Sequence, residues 1–329
     1  MMSKNRRFPA GALRALVISA SAALVVAAGS AFAAPYPERP IKLIVPWAAG
    51  GDTDSIYRVF AQLLQKQLGQ PVIIANVSGA SGTVGEREAS KATPDGYTIF
   101  APHDFVHSVY FAGLTDIKYD KAFDPICLVS ATPSVITASA KTPWKTFKEM
   151  VADAKAHPGA ITAGASLGST SQYSIALMAK AVEIKLKYVP YDGTAERMNA
   201  LLGGHIDLAD SNLTQKAKVD AGLLKFLAIM SEKRSPELPN VPTLKELGYD
   251  VDYAVNRGLM VPKDVPAEIQ AKLESACAAA TKESEFAKAM KLQGTEVRYL
   301  ASKDYAAFLK KEDAKTKELT RELGLLKRE

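Results

Sequence analysis

A strand, a small polar turn and a helix recur along this chain, and that unit constrains the fold more than any other feature. Ile41-Lys42-Leu43-Ile44-Val45 reads as a buried strand, and Pro46-Trp47-Ala48-Ala49-Gly50-Gly51-Asp52-Thr53-Asp54 is the turn after it. Ile56, Val59, Phe60, Leu63, Leu64 and Leu68 then recur at helical spacing. Small residues at a helix start leave backbone N–H groups uncovered. The helix dipole adds partial positive charge there, so a carboxylate or phosphate can dock. The unit returns at once, with Pro71 to Val77 as strand and Ser78-Gly79-Ala80-Ser81-Gly82 entering a second helix. Turns at the carboxyl ends of neighbouring strands can face one crevice. Neither turn is a GxGxxG or a phosphate loop, since no Lys comes after the glycines.

The same alternation continues. Tyr97 to Ala101 is a third strand, leaving through Pro102-His103-Asp104. Phe123 to Ser130 and Ser134 to Ser139 are further strands, and Thr132-Pro133 between them is a candidate crossing between domains. Thr142-Pro143 is a cap and first-turn signal for a helix through Ala156. Ile161-Thr162-Ala163 then enters Gly164-Ala165-Ser166-Leu167-Gly168-Ser169-Thr170 and a helix. Leu186 to Pro190, the turn Tyr191-Asp192-Gly193-Thr194 and a helix to Leu202 repeat the unit, and Ile206 to Asp210 is another strand. Tyr253 to Val261 is extended and crosses back, and helices run on to the C-terminal end with Val297-Arg298-Tyr299 as a last edge strand. The alternation predicts parallel sheets with right-handed crossovers. Two such α/β domains suggest a clamshell with a ligand held between facing helix starts. The expected division is 34–132 and 253–329 for the first domain and 133–252 for the second.

Charge and leader bound the location. Residues 1–33 read as a secretory signal: Lys4, Arg6, Arg7 and Arg14 make a basic start, Ala15 to Ala28 is mostly apolar, and Ala31-Phe32-Ala33 fits a cleavage site. Arg6-Arg7 suggests twin-arginine export, but the residues after the pair fit the ordinary secretory route better. The chain has 329 residues and a net charge of +6; without the leader's four cations the charge is +2. The remaining balance makes no case for nucleic acid. An exported, soluble protein is expected.

The chemistry-bearing residues are sparse. Cys127 and Cys277 are the two cysteines. Export permits their pairing, but the expectation is two separate buried thiols. His103, His107, His157 and His205 are scattered and no Cys/His cluster has zinc spacing, so neither metal nor cofactor is expected. Gly164-Ala165-Ser166-Leu167-Gly168 matches GxSxG between a strand and a helix, with Asp192 and His205 in hydrolase order. A secreted serine hydrolase using Ser166 is therefore the alternative to a binding protein. No HGGG-like oxyanion segment accompanies it, and no catalytic residue is assigned.

The combination of motifs is more specific than its parts. Tyr36-Pro37 and Pro40-Ile41 precede IVPWAAGGDTD; Leu68-Gly69-Gln70-Pro71-Val72, Gly79 to Gly82 and Pro94-Asp95-Gly96-Tyr97-Thr98 come next. Val189-Pro190-Tyr191, Leu202-Gly203-Gly204, Pro239 to Thr243 and Val261-Pro262 to Pro266 complete the order. In this spacing the mature chain resembles the Bug-type (TctC-like) substrate-binding proteins of tripartite tricarboxylate transporters. The resemblance implies a two-domain periplasmic-binding-protein (Venus-flytrap) α/β fold, type II-like, with the ligand cleft between domains. It implies a receptor that binds a small organic acid and delivers it to membrane permease subunits.

Carried over by motif, the first anion loop falls on Trp47, Ala48, Ala49, Gly50, Gly51 and Asp54. The second falls on Ser78, Gly79, Ser81 and Gly82. The second domain supplies Ser166, Ser169 and Thr170, then Tyr191 and Thr194, then Asp210. His103 and Asp104 leave the third strand on the same edge. Departures from the family pattern fall at Ala48-Ala49, Asn76-Val77-Ser78, Gln172-Tyr173 and Asn256-Arg257, and they leave the ligand's identity open. Trp47 is expected to wall the pocket. Asp54 is expected to cap or brace the first helix. Asp104 and Asp210 are candidates for a ligand amino group or hydroxyl. Arg257 could pair a second carboxylate, but exposure near the hinge is expected.

Overall fold

The computed structural model describes residues 36–329; the leader and its cleavage site lie outside the described residues. The chain clusters into two compact units, residues 1–38 and 39–329. In the described part of the first, the Tyr36–Pro37 peptide bond is cis. Among the described residues no helix is long and apolar enough to cross a membrane.

The second unit holds two sheets. Its elements in order are β1 (Ile41–Val45), α1 (Asp52–Leu68), β2 (Val72–Asn76), α2 (Thr83–Ser90), β3 (Thr98–Phe100), α3 (Phe105–Phe111), α4 (Tyr119–Ala122) and β4 (Phe123–Pro133). Then come β5 (Val135–Ser139), α5 (Phe147–Ala156), β6 (Thr162–Ala165), α6 (Thr170–Ala181), β7 (Lys187–Pro190), α7 (Thr194–Gly203), β8 (Leu208–Ser211), α8 (Lys216–Asp220) and β9 (Leu224–Ile229). The chain ends with β10 (Ala254–Pro262), α9 (Ala267–Lys282), α10 (Ser284–Leu292), β11 (Glu296–Ala301) and α11 (Ser302–Glu322). One sheet runs β11-β4-β10-β3-β1-β2, and the other β7-β6-β8-β5-β9.

The helix pattern read from α1 is realised. Ile56, Tyr57, Phe60, Leu63, Leu64 and Leu68 are buried, Arg58, Gln62 and Gln65 are exposed, and Gly69 ends the helix at a φ of 72°. Phe60 meets Phe286 of α10 with ring centroids 5.0 Å apart. A second core lies around Trp144, Phe147, Met150, Ile175, Met178 and Leu227 and covers the smaller sheet.

Neither sheet is wholly parallel, which corrects the expectation from alternation. β1 pairs with β2 and β3 in parallel, but β10 is antiparallel to β3 and β4, and β11 to β4. In the smaller sheet β6 is parallel to β7 and β8, while β5 is antiparallel to β8 and β9. The strands reversed within their sheets are β10 and β11 in the larger sheet and β5 in the smaller. β4 runs through the Thr132-Pro133 break, and Ser134 alone separates it from β5. The returning strand passes beside it: Ser134 N–H donates to the Tyr253 carbonyl at 3.0 Å.

Two further expectations are corrected. α5 starts at Phe147, not after Thr142, because Thr146 is the residue whose Oγ1 accepts from Glu149 N–H. Cys127 of β4 and Cys277 of α9 form a disulfide across 150 residues of chain. Burial of each thiol was legible in its apolar surroundings; their mutual approach depends on α9 packing on β4.

Candidate ligand-binding site

Register aligns the turns on one edge of each sheet. Val45 is level with Asn76 and Ile44 with Phe100, so the loops after β1, β2 and β3 leave the same edge. In the smaller sheet Ala165 is level with Pro190 and Gly164 with Ala209, so the loops after β6, β7 and β8 do likewise. A pocket of about 40 Å³ among the described residues is lined from both sheets' loops.

Three helix starts border it. α1 begins after Gly51, α6 after Ser169 and α7 after Gly193, and none has a side-chain cap. Gly51 and Gly193 have no side chain that could cap, and Ser169 does not use its own. Apart from Gln172 N–H, which donates to the Ser169 carbonyl at 3.0 Å, the first-turn N–H groups of these helices thus keep their hydrogen-bonding capacity.

The α1 loop is held from behind. Gly50 N–H donates to Asp54 Oδ2 at 2.9 Å, Arg58 Nε to the same oxygen at 2.8 Å, and Asn76 Nδ2 to Asp54 Oδ1 at 2.9 Å and to the Trp47 carbonyl at 3.0 Å. Asp54 is therefore the brace of this turn. Trp47 stacks on His103 at 5.0 Å with an interplanar angle of 2°, and Phe105 meets both rings edge-on. The Trp47 indole Nε1 is buried without a hydrogen-bond partner.

His103 Nδ1 accepts from Phe105 N–H at 3.1 Å, which leaves the ring proton on Nε2. Burial, and next the Arg257 guanidinium, push its pKa down to about 3, so the imidazole is neutral at physiological pH.

Two buried arginines and two acidic partners sit among these loops. Arg257 is 1% exposed, against the expectation of an exposed hinge residue. Its Nε donates to Thr53 Oγ1 at 3.0 Å, Nη1 to Thr132 Oγ1 at 2.8 Å and Nη2 to Asp52 Oδ2 at 2.6 Å. Asp52 also receives Thr194 Oγ1 at 2.9 Å and Asn212 Nδ2 at 3.2 Å, both from the other sheet's loops. Burial pushes the Asp52 carboxyl up, but Arg257 and the Thr194 hydroxyl outweigh it and hold the group below the usual carboxylate range.

Arg197 is also buried; its Nε and Nη2 reach the Asp210 carbonyl at 3.3 Å, and Nη2 reaches Thr194 Oγ1 at 3.3 Å. Among the described residues its Nη1 has no hydrogen-bond partner. Asp210 Oδ1 accepts from Ser174 Oγ at 2.9 Å, while Oδ2 stands 4.0 Å from Arg197 Nη2. Burial pushes Asp210 up to about 6, against the pull of Arg197 and of the Ser134 and Ser174 hydroxyls.

Of the residues singled out in the sequence, Trp47, Ala48, Gly51, His103, Ser166, Ser169, Thr170, Thr194 and Asp210 line this pocket. Ala49, Gly50 and Asp54 belong to the same turn but are not among its lining residues. Ser78, Gly79, Ser81 and Gly82 are not among its lining residues; Ser81 Oγ instead donates to the Leu167 carbonyl at 2.7 Å, tying the loop after β2 to the loop after β6. Asp104 accepts from Asn256 N–H at 2.7 Å and from its Nδ2 at 2.9 Å, beside a different cavity, and burial pushes it up to about 6. Tyr191 packs beside Gly164, and its carbonyl accepts from Ser166 Oγ at 2.7 Å.

Sequence reasoning missed Asp52, Arg197 and the buried role of Arg257. Arg197 falls three residues into a helix that starts at a pocket turn, which was a usable signal. Arg257 and Asp52 gave none, because neither announces its distant partner.

The hydrolase alternative receives no support. The Ser166 hydroxyl is engaged by the Tyr191 carbonyl, and among the described residues no hydrogen bond links Ser166 to a histidine.

Residues 56–325 match the family described as tripartite tricarboxylate transporter family receptor. A Cupriavidus necator protein described as a UPF0065 protein in the gbd 5′ region is 35% identical over 320 residues, covering 95% of this chain and 97% of its own. The periplasmic binding protein BugD superposes with a TM-score of 0.84 at 32% identity, over 89% of this chain and 100% of its own. MatC from Rhodopseudomonas palustris, solved with bound malate, has a TM-score of 0.80 at 28% identity, over 86% of this chain and 99% of its own. A further R. palustris protein, solved with adipate, has a TM-score of 0.83 at 27% identity, over 88% and 98%. The fold is that of two-domain periplasmic binding proteins with a cleft between the domains, and this chain belongs to the family of tripartite tricarboxylate transporter receptors.

Proposed function

We propose that this chain is a periplasmic receptor whose two lobes close over the carboxylate of a small organic acid, without chemical change, and present it to membrane permease subunits. One observation carries the reading: three uncapped helix starts from both sheets border one pocket. Malate and adipate, bound in the related structures, are small carboxylates. The lobes are residues 34–132 with 253–329, and 133–252; export removes the leader near Ala33, and the mature receptor is a monomer.

An exposed helix-start contact is worth only about 0.3–1 kcal/mol. Micromolar binding needs about 8 kcal/mol, so several contacts must converge. Trp47 Nε1, His103 Nε2, the hydroxyls of Ser169 and Thr170 and the helix-start amides are the donors we assign to the carboxylate. Closure occurs if the ligand binds the closed form more tightly than the open one. In the closed form Asp52 joins the lobes through Thr194 and Asn212.

The test is a thermal-shift screen of mono-, di- and tricarboxylates on ligand-free protein, since a binder raises Tm by mass action. At least one small carboxylate should raise Tm in proportion to the logarithm of its concentration. A screen in which none does so overturns the reading.

A further inference from the structure

The strand that returns between the sheets has a second face. Alternate residues of a strand point to opposite sides. Val255 and Arg257 of β10 line the pocket described above, and Ala254 and Asn256 line a different cavity of about 240 Å³. The loop after β3 divides in the same way, with His103 in the pocket and Asp104 in the cavity. α11 closes the cavity over. Asp313 Oδ1 of that helix lies 3.1 Å from His107 Nδ1, and Thr320 Oγ1 lies 2.7 Å from the Tyr173 hydroxyl of α6. One water needs only about 10–15 Å³, so the space admits a small organic molecule.

The inner wall of the cavity offers acceptors. Asn256 is 7% exposed; its Nδ2 is committed to Asp104 Oδ2, and its Oδ1 is buried with no hydrogen-bond partner. A buried acceptor left unmet is destabilising unless something donates to it. Among the described residues Asp104 makes no ion pair. Burial pushes its carboxyl up to about 6 and nearby Glu312 adds to the push, against the pull of Asn256 and His107. At neutral pH it is therefore an anion with no cation paired to it. Glu312 of α11 lines the same cavity. At the rim Arg298, Lys311 and Lys315 are exposed, and they repel a second positive charge on any occupant. Among the described residues no three His, Cys, Asp or Glu side chains group to hold a metal ion, which favours an organic cation.

We propose that this cavity is a second ligand site, separate from the carboxylate pocket, and that it takes the ammonium group of a small monoamine between Asn256 Oδ1 and the Asp104 carboxylate. A primary ammonium brings three N–H donors and one positive charge. It satisfies the orphaned amide oxygen and pairs the carboxylate at once. The organic tail lies along Phe308 and Leu319 of α11.

The test is calorimetric titration at pH 7.5 with butylammonium and tetramethylammonium chlorides, the second a cation without an N–H, on wild type, Asp104→Asn, Glu312→Gln and Gly51→Leu. Butylammonium should bind wild type about tenfold or more tighter than tetramethylammonium, and Asp104→Asn should lose about tenfold or more. Glu312→Gln should lose about threefold, and it keeps the test decisive if Asp104→Asn folds poorly. Gly51→Leu obstructs the carboxylate pocket and should bind butylammonium as wild type does. No binding to wild type at millimolar concentration, or equal affinity for the two cations, overturns the proposal. Wild-type affinity in Asp104→Asn or in Glu312→Gln overturns it as well. Lost binding in Gly51→Leu would put the amine in the carboxylate pocket and overturn the second site. The carboxylate-receptor reading stands under each of these outcomes, since the thermal-shift screen decides it separately.

Discussion

The Asp52 carboxylate and the Arg257 guanidinium, 205 residues apart in the chain, meet at 2.6 Å beside the pocket. Asp52 stands in the first turn of α1, where the helix dipole already favours a negative charge. Arg257 comes from β10, the strand returning from the smaller sheet. The pair therefore ties the first turn of the receptor to its last crossing.

Arg257→Gln should be costly, because it leaves Asp52 without its cation. Breaking a buried pair from one side costs about 3–5 kcal/mol. Urea unfolding should show that loss, and the double variant Asp52→Asn with Arg257→Gln should recover part of it. Equal stability of Arg257→Gln and wild type would mean that the pair carries no structural weight.

Thr194→Val and Asn212→Ala remove the two hydrogen bonds that Asp52 receives from the other sheet's loops. Each bond to a charged group is worth about 1.5–3 kcal/mol when formed, and both link the first turn of α1 to the smaller sheet's side of the pocket. The double variant should have a larger radius of gyration by small-angle scattering and a ligand affinity lower by about tenfold or more. Unchanged scattering and affinity would show that these bonds do not bias closure.

Glu86 gives stability a pH dependence. It is fully buried in α2 with neither carboxyl oxygen hydrogen-bonded, and burial, outweighing the pull of nearby Thr115, pushes its pKa from the ordinary 4.5 up to about 8. Across that window the folded protein keeps a proton that the unfolded chain releases, so wild-type stability falls as pH rises. Glu86→Gln cannot ionise. Its stability relative to wild type should rise from pH 5 to pH 9 by a few kcal/mol, measured by urea titration at each pH. A constant difference would contradict a neutral Glu86.

The disulfide closes 150 residues of chain between β4 and α9. Replacing both Cys127 and Cys277 by Ala should cost about 2–5 kcal/mol, through a less constrained unfolded state. Tm should fall while ligand affinity is kept, because neither cysteine lines the pocket. Lost affinity in a folded variant would mean that the cross-link positions the site.

Two glycines separate binding from folding. Gly51 has a φ of −77°, and a Cβ there would lie 3.5 Å from the Ala48 carbonyl, so a side chain is tolerated. Gly51→Leu should fold and lose ligand. Gly82 has a φ of +94°, and a Cβ would lie 2.8 Å from the Phe105 ring, so Gly82→Ala should lower Tm first. Wild-type affinity in Gly51→Leu would remove the α1 start from the site.

Short-range order was legible from residues alone. The strand-turn-helix units, the apolar face of α1, the brace at Asp54 and the uncapped turns at Gly51 and Gly193 all stem from local periodicity and cap chemistry, which act within a few residues. The spacing of those units also carried the family. Tertiary structure decided the remainder. It reversed β5, β10 and β11 within their sheets, joined Cys127 to Cys277, buried Arg197 beside Asp210 and brought Arg257 to Asp52. Each of those depends on where a remote segment is laid down, and a charged side chain does not record in its own neighbourhood whether a partner will come to desolvate and pair it.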